Sequence, residues 1–156
     1  MMKKATFEEI LNRDGVLVYR TRGVSMEPML RQNRDLVVIR VPEKRLEPLD
    51  MALYKRGSDY ILHRVIGVAD AHYLIRGDNT FVIEHVPFVN VIGVLTEFNR
   101  RGKTYSVTDK AYLRYARLWN AIYPLRVFYR RSRAFAVRIA RKLGILPLMK
   151  KVLRHE

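Results

Sequence analysis

The sequence predicts a mainly β protein, an antiparallel β domain over residues 1–109 followed by a basic α-helical tail over 110–156. Three observations predict it. Up to Asp109 the chain carries short, alternating apolar runs separated by Pro, Gly, Asp and Asn; beyond it turn signals become scarce; and the charge divides at the same place. Of 30 basic and 15 acidic side chains the front segment holds 17 and 14 and the tail 13 and 1, so the tail supplies +12 of the net charge of +15. With 156 residues, 49% of them apolar, there is material for one domain with its own core plus a tail, and the composition is not that of a disordered chain.

The elements follow in order. Thr6 to Asn12 reads as a short helix, with Thr6 as N-cap and Glu9 three residues on completing a capping box. Strands are expected at Val16–Arg20, Asp35–Val41, Met51–Tyr54, Asp59–Val68, His72–Ile75, Val89–Leu95 and Thr104–Val107, with Arg101-Gly102 as a hairpin turn. In the tail Tyr112, Tyr115, Trp119 and Tyr123 recur at spacings of three and four, one aromatic face of a helix that Pro124 ends or kinks. A second helix carries Leu125, Phe128, Phe135, Ile139 and Leu143 on one side and Arg126, Arg130, Arg133 and Arg141 on another; Gly144 stops it, and 146–154 form a last turn or short helix.

Several classes of function are excluded or disfavoured at once. Without cysteine there is no disulfide scaffold, cysteine nucleophile or thiolate metal site. Glu8 and Glu9 stand where a signal peptide needs its apolar stretch, and the longest weakly charged run, Val86 to Thr96, is too short to span a bilayer, so neither a signal peptide nor a transmembrane helix is expected. His63, His72, His85 and His155 form no short ligand pair and no glycine-rich phosphate loop is present; the expectation is no cofactor and no metal.

Three short stretches carry chemistry. In Gly23-Val24-Ser25-Met26-Glu27-Pro28, a serine in a tight turn after a strand can present its hydroxyl to a cleft. In Ile61-Leu62-His63-Arg64-Val65, strand alternation puts His63 on one face with Ile61 and Val65, where an imidazole can act as a base near neutral pH. In Arg76-Gly77-Asp78-Asn79, a turn sequence, Asp78 can accept the imidazole N–H and fix its tautomer. Singly, each reads better as an ordinary turn, a half-buried strand histidine and an Asp bonded to its own backbone.

In order and spacing, Gly-x-Ser-Met-x-Pro, then Asp35-Leu36-Val37, then His63-Arg64-Val65-Ile66-Gly67, then Arg76-Gly77-Asp78-Asn79 resemble the type I signal peptidase superfamily of serine proteases over about residues 15–96. The resemblance implies the fold of that family, with Ser25 as nucleophile and His63 as general base; histidine at this place is similar to the archaeal and endoplasmic-reticulum branch, where the bacterial enzymes have lysine. Lys55 matches no block of the family and reads as surface. For the third member two carboxylates stay open. Asp78 matches the Gly-Asp-Asn block and is modestly favoured, while Glu84 holds a position where the histidine branch often carries an acid. The family frequently has a serine two residues ahead of the nucleophile; here Gly23 stands there, so the oxyanion hole is expected to rest on backbone N–H groups, chiefly that of Ser25. The Gly-x-Ser-Met form is similar to self-cleaving SOS-type repressors, which share the fold but use lysine as base and carry a DNA-binding domain.

What the resemblance implies is a serine endopeptidase acting on a leader or signal-like peptide bound as an extended segment, with small residues near the cleavage point. Two other readings remain beside it, a catalytically silent peptide-binding module of the same fold and a nucleic-acid-associated regulator using the tail. The first tail helix suits packing on the β domain as well as a binding role. For the second, an anionic membrane surface ranks ahead of nucleic acid, and the location expected is cytoplasmic or peripheral at the inner membrane surface.

Overall fold

The computed structural model describes residues 5–142. Among them the elements run α1 (Phe7–Asp14), β1 (Val16–Arg20), β2 (Leu36–Arg40), β3 (Met51–Arg56), β4 (Asp59–Val68), β5 (His72–Arg76), β6 (Glu84–Pro87), β7 (Val91–Arg100), β8 (Lys103–Ser106), α2 (Lys110–Ala121) and α3 (Tyr123–Lys142), with a 3-10 turn at Phe88–Asn90. The strands pair antiparallel throughout, in the order β1-β2-β7-β3-β4-β5-β6 with β8 beside β7, and the sheet curls into a half-barrel. The chain is therefore mainly β, as its alternating pattern predicts.

Local chemistry accounts for the start of the domain. Both halves of the capping box form, Glu9 N donating to Thr6 Oγ1 at 3.2 Å and Thr6 N to Glu9 Oε2 at 2.7 Å, and Gly15 closes α1 in the left-handed region at φ 70°. The central strand β3 is buried on both faces, which is why Met51–Tyr54 reads as an unbroken apolar run rather than an alternating one. Met51 and Leu53 join one core with Leu11, Leu17, Val37 and Ile39; Ala52 and Tyr54 join the other with Val65, Tyr73 and Ile75.

Two strands depart from expectation. β7 continues past Leu95 to Arg100, because its polar second half is held on both sides: Glu97 pairs with Val38 of β2 and with Ser106 of β8. β6 is four residues long and ends in Pro87, too little pattern to be read as a strand; β5 alone holds it in place, Leu74 opposite His85 and Ile75 opposite Glu84.

The sequence sets the expected domain boundary at 109, between β8 and α2. One compact unit reaches Asn120, so α2 belongs to the β domain. Its Tyr112 and Ala116 are buried while Lys110, Arg114 and Arg117 stay exposed; the positive charge sits on the face away from the core and does not mark the edge of the packing. Tyr112 lies beside Phe98, Trp119 Nε1 donates to the Asp78 carbonyl at 3.0 Å, and Arg76 Nη2 donates to Asn120 Oδ1 at 2.9 Å. The second unit, from Ala121 on, is described by α3 alone. Pro124 falls in its first turn, where a missing N–H is tolerated, so the proline begins this helix rather than kinking a longer one. Gly144 and the last helix expected over 146–154 lie outside the described residues. Among the described residues no helix is long and apolar enough to cross a membrane.

Truncation tests this boundary. A chain ending at residue 120 should unfold within about 1 kcal/mol of the full protein in urea, whereas one ending at 109 should lose at least about 3 kcal/mol, because it strips Tyr112 and Ala116 from the core.

Candidate active site

Ser25 stands in a turn-rich loop between β1 and β2 that is tied down at both ends. Thr21 N donates to the Asp35 carbonyl at 3.1 Å and Asn33 N to the Thr21 carbonyl at 2.9 Å, closing the base of the loop, and the buried Asp35 carboxylate accepts from Arg31 N at 2.9 Å and from the Arg34 guanidinium. The Met side chains of the loop, Met26 and Met29, are buried in the core, which turns Ser25 toward the surface in a half-buried position. The Glu27–Pro28 peptide bond is cis.

The third sequence block docks directly onto this loop. Asn79 N donates to the Ser25 carbonyl at 2.7 Å, Asn79 Nδ2 to the Val24 carbonyl at 3.2 Å, and Asp78 N approaches Met26 Sδ at 3.4 Å. Gly77 makes the close approach feasible. A Cβ there would lie 2.7 Å from the Ser25 carbonyl oxygen, 3.0 Å from Thr80 Oγ1 and 3.1 Å from His63 Nε2, so the serine backbone and the outer nitrogen of the imidazole converge on the one spot where a side chain is missing.

His63 projects from the middle of β4 with only 6% of its surface exposed. Its inner nitrogen, Nδ1, lies 3.3 Å from Glu84 Oε1 and 3.2 Å from the Tyr54 hydroxyl; the other carboxylate oxygen, Glu84 Oε2, accepts from Arg56 Nη1 at 3.0 Å. Burial pushes the imidazole below its ordinary value of 6.5, with the Glu84 charge pulling the other way, so the ring is neutral at pH 7. Burial, and then the Glu84 charge, push the Tyr54 phenol well above its ordinary value and keep it protonated. In the tautomer that carries its proton on Nδ1, beside Glu84, the neutral ring keeps an open lone pair on Nε2, the nitrogen that faces Gly77 and the serine loop.

The carboxylate favoured from sequence is engaged elsewhere. Asp78 Oδ1 and Oδ2 accept from Arg64 Nε at 2.8 Å and Nη2 at 2.7 Å, a two-point pair in which both residues are buried. Arg64 and His63 are neighbours on β4 and point to opposite faces, so the aspartate that meets one is turned from the hydrogen-bonding edge of the other. Glu84 reaches His63 because β6 pairs with β5, which in turn pairs with β4. The extra methylene of glutamate spans that separation.

Ser25, Gly23, His63 and Glu84 line a single cleft of about 1150 Å³, with Leu17, Tyr19, Leu30 and Ile61 among its walls. No hydrogen bond joins the Ser25 hydroxyl to the His63 ring, whose Nδ1 bonds with the Tyr54 hydroxyl. Ser25 N–H has no acceptor among the described residues. Gly23 holds φ at 79°, a conformation that strains any other L residue, which gives a backbone reason for glycine at this position. Lys55 lies on the surface, paired with Glu8 at 2.9 Å.

Tyr54 and Arg56 were not legible as site residues. The signal lies in the two-residue turn Gly57-Ser58, which pairs Ala52 with His63 and Tyr54 with Ile61 and so brings Tyr54 and His63 diagonally together on one face, with β3 running on to Arg56 beyond the expected end at Tyr54. His72 and His85 meet across β5 and β6, Nε2 to Nδ1 2.9 Å, but among the described residues no three His, Asp or Glu side chains gather where a metal ion would fit. Comparison with known proteins finds no family model that matches the chain and no curated protein similar to it.

Two substitutions probe the geometry. Asp78→Ala should cost about 3–5 kcal/mol in urea unfolding by stranding the Arg64 charge, while the double change Arg64→Met with Asp78→Leu recovers most of it. Gly77→Ala should cost about 1–3 kcal/mol, since its methyl must displace either the Ser25 backbone or the His63 ring.

Proposed function

We propose that the protein is a serine endopeptidase of signal-peptidase type, cleaving a leader or signal-like peptide. The observation that carries this reading is the convergence at Gly77 of the Ser25 backbone and His63 Nε2, with Nδ1 of the same ring 3.3 Å from Glu84 Oε1. Ser25 Oγ attacks the scissile carbonyl while His63 Nε2 takes its proton; the imidazolium so formed is stabilised by Glu84 and then gives the proton to the leaving amine. Water, activated by the same nitrogen, releases the acyl group from Ser25. The Ser25 N–H donates to the developing oxyanion. Arg56 anchors the far oxygen of Glu84 and acts as a positioning residue, and Tyr54 completes the shell around Nδ1.

The substrate follows from the walls of the cleft. β1 pairs with β2 on one side only, and Leu17 to Arg20 of that edge strand line the cleft that holds Ser25, so an extended peptide can add beside β1 with alternate side chains entering an apolar groove. We place the enzyme in the cytoplasm or at the inner membrane surface, a reading that the cationic α3 supports.

A catalytically silent peptide-binding module is the second reading, favoured by the unmade Ser25–His63 hydrogen bond. Incubation with a library of peptides carrying small residues, read by mass spectrometry, separates the two. Cleavage that vanishes in Ser25→Ala is the expected result; peptide retention without products, or equal cleavage by the mutant, overturns the enzyme. The pH profile is a further check. Because burial lowers the His63 pKa, the neutral base persists below pH 6.5, so kcat/KM should be flat above about that value and fall only as the pH drops further. Glu84→Gln removes the charge that opposes this lowering, and should move the acid limb to still lower pH while reducing kcat about a thousandfold through loss of the fixed tautomer.

A further inference from the structure

We propose that α3 is an interfacial helix that docks on an anionic lipid bilayer, its apolar stripe inserted among the acyl chains and its arginines on the headgroup phosphates. The helix is 20 residues long and carries seven Arg and Lys side chains and no acidic one. At about 100° per residue, Leu125, Phe128, Tyr129, Phe135 and Ile139 fall within a sector of about 120°, interrupted only by Ser132 and Ala136, and all seven cations lie outside that sector, interspersed with Val127, Ala134, Val137 and Ala140.

A stripe of this width ordinarily faces a protein core, yet here it faces outward. Phe128, Leu125 and Phe135 are 68, 68 and 64% exposed, Tyr129 69% and Ile139 41%. The partner must therefore supply an apolar layer and negative charge in the same plane. An anionic bilayer supplies both within a few ångströms of depth, the phosphates lying where the arginines flank the stripe and the acyl chains where the phenylalanines point. A nucleic-acid backbone satisfies the charge and leaves three or four large apolar side chains in water, so the stripe argues for lipid. This inference is independent of the chemistry at Ser25.

The test is co-sedimentation of the full-length protein with vesicles of phosphatidylglycerol and phosphatidylcholine, with vesicles of phosphatidylcholine alone, and, by gel shift, with a 20-base-pair DNA duplex, each over a salt series. Binding to the mixed vesicles should exceed that to neutral vesicles by at least about tenfold and weaken with salt, and a blue shift of the intrinsic fluorescence of Phe135→Trp on vesicles should report insertion. The double variant Phe128→Ser with Phe135→Ser, both exposed and outside the β unit, should lower vesicle affinity at least about tenfold with the thermal unfolding of the β domain unchanged. Vesicle binding that is indifferent to the phenylalanines, tighter binding to the duplex than to the vesicles, or no vesicle binding at all overturns the proposal.

Discussion

One buried ion pair holds the site together. Arg64, 1% exposed, gives two hydrogen bonds to Asp78, a third to the Leu49 carbonyl, a fourth to the Tyr112 hydroxyl, and places Nη2 3.2 Å from Met29 Sδ. Burial works against the guanidinium charge, and the Asp78 carboxylate more than offsets it. Four separate segments are thereby fixed to β4: the turn after β5, the loop before β3, the serine loop and α2, with Trp119 of α2 adding a second bond to the same turn through the Asp78 carbonyl. A charged pair in a dry core tolerates little displacement, because any lengthening of its bonds leaves charge without solvent. The positions of Ser25 and His63 inherit that rigidity, since one sits on the loop packed against the pair and the other is the residue next to Arg64.

This constraint explains why the aspartate of the Arg76-Gly77-Asp78-Asn79 block has a structural rather than a proton-relay geometry. Along β4 successive side chains alternate between faces, and the two faces carry different business: Arg64 looks to Asp78 and α2, His63 to Tyr54 and Glu84. The orienting carboxylate comes from β6, an edge strand of four residues, and is itself anchored by Arg56 from the end of β3. Three strands, β3, β4 and β6, thus contribute to one imidazole environment.

The charge of the protein divides by packing and not by composition. α2 shares the basic composition of the tail and yet buries its aromatic side chains in the β unit, with Tyr112 on Arg64 and Trp119 stacked on Tyr115. α3 has a similar amphipathic pattern and keeps its phenylalanines exposed. Periodicity identifies an apolar face in both helices, but whether a face is filled depends on the presence of a complementary surface, and α2 finds one within its own compact unit, beside Phe98 and Arg64.

The sequence by itself determined the mainly β class, the capped first helix, most of the strands and the residues of the serine loop and of β4, because alternation, capping and turn chemistry are local and act over a few residues. It placed Ser25, His63, Asp78 and Glu84 among the candidates without ranking the carboxylates as the structure arranges them. Only tertiary structure decided that Asp78 meets Arg64, that Glu84, Tyr54 and Arg56 gather at His63, and that the domain extends through α2. Each of these depends on which strands lie side by side and on which face of β4 a partner approaches, and hydrogen bonds between residues fourteen to forty-eight positions apart leave no periodic trace in the chain.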